Sequence, residues 1–160
     1  MIMINDGMVR IEETSAWAFA SAARLDPGAA ASASGTVTIA RPPDLVWGLL
    51  RDVSNWPQVR DDVRDVVPLE DGAFTWSAGA VPVRSRFARA EPGHLLTWST
   101  QAAGLEAVHI YRFEGVGSET RLHATESMSG PLALQAITDA QLEAQIASWL
   151  AGLKVLAEGR

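Results

Sequence analysis

The chain has 160 residues, the size of one ordinary domain, and it contains no cysteine, which excludes disulfides and cysteine-ligated zinc. Its net charge is −6 and it has no cluster of lysine and arginine, so we expect no nucleic-acid partner. No apolar run reaches the roughly 20 residues of a membrane span, and Met1 to Glu13 lacks the pattern of a secretion signal, so the expected location is the cytoplasm.

Residues 1–34 are predicted to form an N-terminal arm that precedes the main domain. Charged residues, alanines and two aromatic residues, Trp17 and Phe19, are mixed in this segment, and Asp26-Pro27-Gly28 is a turn signal. We expect one helical turn in the arm, with Trp17 and Phe19 packed on the domain. The alternative is a mobile tail, because chain termini are commonly disordered.

The domain opens with a strand followed by short helices. Gly35–Ala40 alternates β-branched residues, which predicts a strand. Two prolines then open a helix over Asp44–Leu50, whose apolar residues have helical spacing. Asp52–Pro57 breaks this helix, and a second helical turn is predicted over Gln58–Asp62.

The middle of the chain alternates short β-type runs with turn sequences such as Glu70-Asp71-Gly72 and Pro92-Gly93-His94. Consecutive strands joined by tight turns predict an antiparallel meander, which gives a sheet of about six or seven strands. The predicted strands of the meander are Val63–Leu69, Ala73–Ser77, Val81–Glu91, Leu95–Thr100, Glu106–Glu114 and Glu119–Met128.

A long amphipathic helix is predicted from Thr138 onward, with Thr138 or Asp139 as its N-cap. Its apolar residues recur at alternating steps of four and three, which places them on one face. These residues are Leu142, Ile146, Trp149, Leu153 and Leu156. Because the sheet is the only surface broad enough to cover this face, we expect the helix to lie on the sheet.

Strand alternation predicts which side of the sheet faces the helix. Three polar residues, His109, Tyr111 and Glu126, fall on this inner face, whereas Arg84 and Arg86 fall on the outer face. Glu106 and His109 lie on opposite faces of one strand, so no metal site is predicted. The large apolar and aromatic residues of the inner face are Phe74, Trp76, Phe87, Trp98, Tyr111, Phe113, Leu122 and Met128.

Several motifs resemble the START-related SRPBCC superfamily, in its polyketide cyclase/dehydrase-like branch. Val37–Trp47 followed by Leu50–Pro57 is similar to its opening, a strand, a Pro-acidic helix start, "VW" and "D-x-x-x-W-P". Leu96–Ser99, Tyr111–Glu114 and Glu126–Gly130 are similar to later pieces. The resemblance implies an α+β helix-grip fold over residues 35–158, in which a curved antiparallel sheet wraps around a long C-terminal helix. The superfamily includes hydrophobic-ligand carriers, polyketide aromatase/cyclases, hormone receptors and chaperone regulators, and it has no shared catalytic motif.

The leading functional prediction is a cavity between sheet and helix that binds a small hydrophobic or aromatic metabolite, polyketide-like or lipid-like, without a cofactor. The candidate ligand-binding residues are Phe74, Trp76, Phe87, Trp98, His109, Tyr111, Phe113, Glu126, Met128, Ile146, Trp149 and Leu153. Trp47, Trp56 and Trp149 fit the core better than a ligand contact.

Two alternatives remain open at this point. One is a cyclase or dehydratase that uses Glu126, His109 and Tyr111 as catalytic residues, with the pKa of Glu126 raised by apolar surroundings so that it acts as an acid. The other is a ligand-free protein-interaction domain, in which the arm would mediate association, for example in a homodimer.

Overall fold

The computed structural model describes residues 9–160. The first eight residues of the arm, and with them most of the segment considered for a secretion signal, lie outside the described residues. The helices are α1 Ser15–Ser21, α2 Pro43–Arg51, α3 Trp56–Val59, α4 Pro131–Ala136 and α5 Asp139–Glu158, and the 3-10 turns are Ile11–Glu13, Val53–Asn55 and Glu70–Gly72. No helix among residues 9–160 is both long and apolar enough to span a membrane.

A single antiparallel sheet of seven strands forms the body of the molecule, in the order β1-β7-β6-β5-β4-β3-β2. The fold is the predicted helix-grip α+β arrangement, with α5 on the inner face of the sheet and two short helices after the first strand. The strands are β1 Ala31–Ile39, β2 Val63–Pro68, β3 Ala73–Ala78, β4 Val81–Glu91, β5 Leu95–Ala102, β6 Leu105–Val116 and β7 Glu119–Ser129.

The structure corrects the bounds of two predicted elements and adds one helix. Strand β1 begins at Ala31 rather than Gly35, because its pairing with β7 runs on to Met128. The second helical turn is α3, which begins at Trp56 and ends before the predicted Gln58–Asp62 segment is complete. Helix α4 was not predicted, because six residues are too few to show a helical period.

Helix α5 has the predicted N-terminus and a wider apolar face than the predicted stripe. Thr138 and Gln141 form a capping box, in which Gln141 N donates to Thr138 Oγ1 across 3.1 Å and Thr138 N donates to Gln141 Oε1 across 2.9 Å. The buried residues of the helix are Leu142, Ile146, Trp149, Leu150, Leu153 and Ala157. Leu156 is only partly buried, so the side chains of Leu150 and Ala157 extend the packed face instead.

Trp56 joins α3 to both the sheet and α5. The centroids of four aromatic rings, those of Phe74, Trp76, Trp98 and Trp149, lie between 5.0 and 5.8 Å from its own ring. Its indole N–H donates to the carbonyl oxygen of Leu50 across 2.8 Å, so the polar atom of this buried ring is satisfied. Aromatic pairs of this kind contribute about 0.5–1.5 kcal/mol each beyond area burial.

The last four residues of the predicted arm belong to β1, and the described part before them packs on the outer face of the sheet. Thr97 Oγ1 donates to the carbonyl oxygen of Ala20 across 2.8 Å, and the side-chain amide of Gln101 donates to that of Val9 across 2.8 Å. Phe19 packs against a second apolar cluster on this face, as predicted. Arg86 lies on the outer face, also as predicted, with its guanidinium carbon 5.0 Å from the centroid of Trp17.

Two glycines allow α5 to approach its neighbours closely. A Cβ atom at Gly152 would lie 1.9 Å from the carbonyl oxygen of Val59 in α3, and one at Gly35 would lie 2.9 Å from Cγ2 of Ile146. Real Cβ atoms do not approach another atom as closely as 1.9 Å, so a side chain at Gly152 would require α3 or α5 to move. Gly48, in α2, has no atom within 4 Å of its Cβ position.

Because of this difference, alanine at the two helical glycines should have opposite effects. Gly48→Ala is expected to stabilise the protein by up to about 1 kcal/mol, the helix-propensity difference. Gly152→Ala is expected to destabilise it by about 1–3 kcal/mol, because α3 must move away from α5. Urea unfolding of both variants measures the two changes. If Gly152→Ala is as stable as wild type or more stable, the space between α5 and Val59 accommodates a methyl group and the prediction is wrong.

Candidate functional site

A cavity of about 330 Å³ lies between the inner face of the sheet, α3, α4 and the N-terminal half of α5. Its size is at the lower end of the roughly 300–1,000 Å³ of small-molecule sites. Seven of the residues predicted to bind a ligand line this cavity: Trp76, Trp98, His109, Tyr111, Glu126, Met128 and Trp149.

The other five predicted residues are buried in the core beside the cavity instead of lining it. They are Phe74, Phe87, Phe113, Ile146 and Leu153. Strand alternation and the helical spacing placed these residues on the correct faces of the sheet and of α5. Neither pattern reveals where the helix touches the sheet and where a gap remains.

The cavity also has wall residues that sequence reasoning missed. Trp56 was assigned to the core, and it belongs to both the core and the cavity wall. Thr100 shares a face with Trp98 by simple alternation, so this signal was present in the sequence. Arg60 and the residues of α4 gave no signal, since a loop and a short helix reach the cavity only through tertiary folding.

A chain of polar side chains crosses the inner face from β3 to β6. Trp76 Nε1 donates to Ser85 Oγ across 3.1 Å, Ser85 Oγ lies 2.9 Å from Thr100 Oγ1, and Thr100 Oγ1 lies 3.0 Å from His109 Nε2. When His109 carries its proton on Nδ1, Thr100 donates to Nε2 and every bond in this chain has a donor and an acceptor. With the proton on Nε2 instead, the ring donates to Thr100 and Thr100 donates to Ser85, so the chain holds the ring in place in either tautomer.

The chain continues to Glu126 on β7, which stands opposite His109 in the strand register. His109 Nδ1 lies 3.1 Å from Glu126 Oε2, but its N–H direction is not aligned with that oxygen, so the contact is electrostatic rather than a good hydrogen bond. Tyr111 Oη donates to the same oxygen across 3.0 Å. The structure thus brings together the three polar residues that the sequence analysis placed on the inner face.

The pKa of Glu126 is lowered, which corrects the expectation of a raised value. Burial alone raises the pKa, but the charge and contact of His109, the hydroxyl of Tyr111 and the more distant charge of Arg60 together outweigh burial. Glu126 is therefore ionised at neutral pH and is suited to accept a proton or a hydrogen bond rather than to act as a standing acid.

The pKa of Tyr111 is raised well above its ordinary value of 10.0, first by burial and then by the adjacent charge of Glu126. Its hydroxyl therefore stays protonated and donates to Glu126 at neutral pH. A group with so high a pKa is a poor general acid or base near neutrality, so this hydroxyl is better placed to orient Glu126 than to transfer protons.

Arg60 provides a positive charge at the edge of the cavity. Its Nε donates to Asp62 Oδ1, and its guanidinium carbon lies 5.6 Å from the ring centroid of Trp149. Arg60 also contributes to lowering the pKa of Glu126, so its field reaches the polar end of the cavity.

The family model of polyketide cyclase / dehydrase and lipid transport proteins matches residues 30–158. The chain belongs to this family. The match begins one residue before β1 and ends with the last residue of α5, so it includes every element that lines the cavity. A search of curated proteins finds no match.

Solved structures share the fold of this family member at low sequence identity. A hypothetical protein from Helicobacter pylori superposes with a TM-score of 0.70 at 21% identity, covering 98% of this chain and 99% of that chain. The Zhui aromatase/cyclase from Streptomyces sp. R1128 has a TM-score of 0.63 at 19% identity, covering 81% and 94%. CalU16 from Micromonospora echinospora has a TM-score of 0.59 at 16% identity, covering 78% and 74%.

The lowered pKa of Glu126 predicts a pH-dependent contribution to stability. The pKa of Glu126 in the folded protein is below its value of about 4.3 in the unfolded chain. The ionised carboxylate therefore stabilises the fold fully above about pH 4.3, and this stabilisation is lost as the pH falls through the folded pKa. Glu126→Gln lacks this contribution, so we expect it to be less stable than wild type by about 1–3 kcal/mol at pH 7. The difference between the two proteins should shrink as the pH falls below about 4.3.

Chemical denaturation at several pH values between 7 and 3 measures this difference. Glu114→Gln is the control, since Glu114 lies on a neighbouring strand with its side chain 55% exposed. That variant should follow the wild-type pH dependence, because exposed ion pairs contribute little. A stability difference for Glu126→Gln that stays constant or widens toward pH 3 would contradict the assigned ionisation.

Proposed function

We propose that this protein binds a small hydrophobic or aromatic metabolite in the cavity between the sheet and α5. The observation that carries the proposal is the cavity itself, whose wall combines apolar residues with four tryptophans, Trp56, Trp76, Trp98 and Trp149. Binding sites for small molecules are mostly apolar with a few aimed polar groups, and His109 and Glu126 are such groups here.

The volume of the cavity limits the size of the ligand. An apolar cavity of about 150 Å³ accommodates benzene, so the 330 Å³ found here suits a molecule of about two fused rings. A long acyl chain would extend beyond the cavity, which favours the aromatic class over the lipid-like class.

The proposal can be tested by filling the cavity. Ala107, on β6, lines the cavity and is 1% exposed, so Ala107→Phe would occupy part of the space a ligand needs. Wild type is expected to show saturable quenching of tryptophan fluorescence with two-ring aromatic probes. Ala107→Phe is expected to weaken binding at least tenfold, because the ring displaces the probe.

Ala151→Phe is the matched control, because Ala151 is on the exposed face of α5. It adds the same side chain away from the cavity and should bind like wild type. Absence of saturable binding by wild type, or equal binding by both variants, would refute the proposed site.

A second function, a polyketide cyclase or dehydratase, is favoured by the contact between His109 and Glu126. In that reaction the cavity would fold a flexible poly-ketone substrate, and the two side chains would move protons as general acid and base. The chain through Thr100 and Ser85 holds the ring of His109 in place beside Glu126, as a proton-transfer residue requires. No comparable observation favours the ligand-free interaction domain, because Ala16 and Ala20 of the arm are buried against the sheet.

Turnover of a short poly-ketone thioester separates catalysis from binding. If the enzyme function is correct, Glu126→Gln and His109→Ala should each lower kcat by about 10²–10⁴-fold, the usual contribution of general acid–base catalysis. Glu114→Gln should leave kcat unchanged. Equal rates in wild type and in both cavity variants would remove the acid–base role, while ligand binding would remain intact.

A further inference from the structure

The two oxygens of the Glu126 carboxylate have different surroundings. Oε2 accepts the hydrogen bond from Tyr111 and is the oxygen closest to His109. Among residues 9–160, no side chain or backbone group donates a hydrogen bond to Oε1. Because Glu126 lines the cavity, Oε1 is the carboxylate oxygen left to meet a bound molecule.

Most of the other polar groups on the inner face are hydrogen-bonded to one another, although within residues 9–160 the Nδ1 atom of His109 and the indole N–H of Trp149 have no hydrogen-bond partner. Thr100 lies between Ser85 and His109, and the indole N–H of Trp76 is bound to Ser85. The polar end of the cavity therefore presents an acceptor, and an ionised carboxylate accepts hydrogen bonds without donating any. A ligand complements it with a hydrogen-bond donor.

The charges of Glu126 and Arg60 limit which kind of hydrogen-bond donor the ligand can carry. A ligand carboxylate beside ionised Glu126 would be repelled, and this repulsion is strong where water is excluded. A ligand cation would lose its hydration in a mostly apolar cavity and would meet the positive charge of Arg60 at the edge. An uncharged hydroxyl avoids both costs and still forms a charge-assisted hydrogen bond.

We propose that the ligand is a phenol of about two rings, held with its rings among the cavity tryptophans and its hydroxyl donating to Oε1 of Glu126. This assignment rests on the proposed ligand-binding function and specifies the chemistry of that ligand. It also gives Glu126 a role in ligand selection that requires no catalytic step.

A pair of probes of equal shape tests the hydroxyl contact. In 2-naphthol and 2-methylnaphthalene, a hydroxyl and a methyl group occupy the same position on the same ring system. Equilibrium dialysis at pH 7 gives a Kd for each probe with wild type, Glu126→Gln and Glu114→Gln. Comparing Kd ratios between proteins cancels the different hydrophobicity of the two probes.

We expect the Kd ratio of 2-methylnaphthalene to 2-naphthol to fall about tenfold from wild type to Glu126→Gln, since a neutral amide forms a weaker bond than a carboxylate. Glu114→Gln should keep the wild-type ratio. The same ratio in all three proteins would overturn the phenol assignment while leaving hydrophobic-ligand binding intact.

Charged analogues of the same ring system complete the test. Tighter binding of 2-naphthoate or of 2-naphthylmethylammonium than of 2-naphthol by wild type would overturn the assignment in favour of an anionic or cationic ligand. Absence of binding by every probe would overturn the proposed function itself, and the two failures are therefore distinguishable.

Discussion

The place of α5 on the sheet depends on two contacts that leave no room for a side chain. Gly35 of β1 lies against Ile146 and Leu150, and Gly152 lies against the carbonyl oxygen of Val59. These contacts hold the helix close to one edge of the sheet and close to α3. Around Gln145 and Trp149 the same helix stands away from the middle strands of the sheet, and the cavity occupies that gap.

Glu126 is the least favourable group of the site to bury, because its carboxylate lies among aromatic rings. Removing an unpaired carboxylate from water is costly, so a charge in this place requires compensation. The register provides it, because His109 stands opposite Glu126 and Trp98 stands opposite His109. The rings of Trp98 and His109 stack with centroids 4.7 Å apart, which fixes the imidazole beside the carboxylate. The cavity is therefore apolar in most of its wall and strongly polar at one point.

The fold and the sheet side of the cavity could both be predicted from the sequence. Period-two alternation placed Trp98, Tyr111 and Glu126 on the inner face, and period 3.6 gave the helix that covers them. The family motifs agreed with both. These signals are local, and each depends only on residues a few positions apart.

The features that sequence reasoning missed depend on distances between segments remote in the chain. The pKa of Glu126 is lowered mainly by His109, which stands opposite it on the adjacent strand; alternation placed both residues on the inner face but gave no distance between them, and the expected direction was therefore wrong. Arg60 follows α3 and α4 follows β7, and the chain path that brings them to the cavity wall leaves no periodic pattern in the sequence. Phe113 and Leu153 share a face with the cavity residues but pack where the helix and sheet meet.

The arm contributes to the cavity although it lies on the other side of the sheet. Two of its hydrogen bonds are made with Thr97 and Gln101 of β5, and the inner-face residues Trp98 and Thr100 lie between these two positions on the same strand. Consecutive strand residues point to opposite faces, so holding the outer side chains of β5 also limits movement of the inner ones. The match to the Helicobacter pylori protein covers 98% of this chain, so the likeness in fold includes the described part of the arm as well as the sheet. The arm is therefore a structural support for the strand that carries Trp98 and the link between Ser85 and His109.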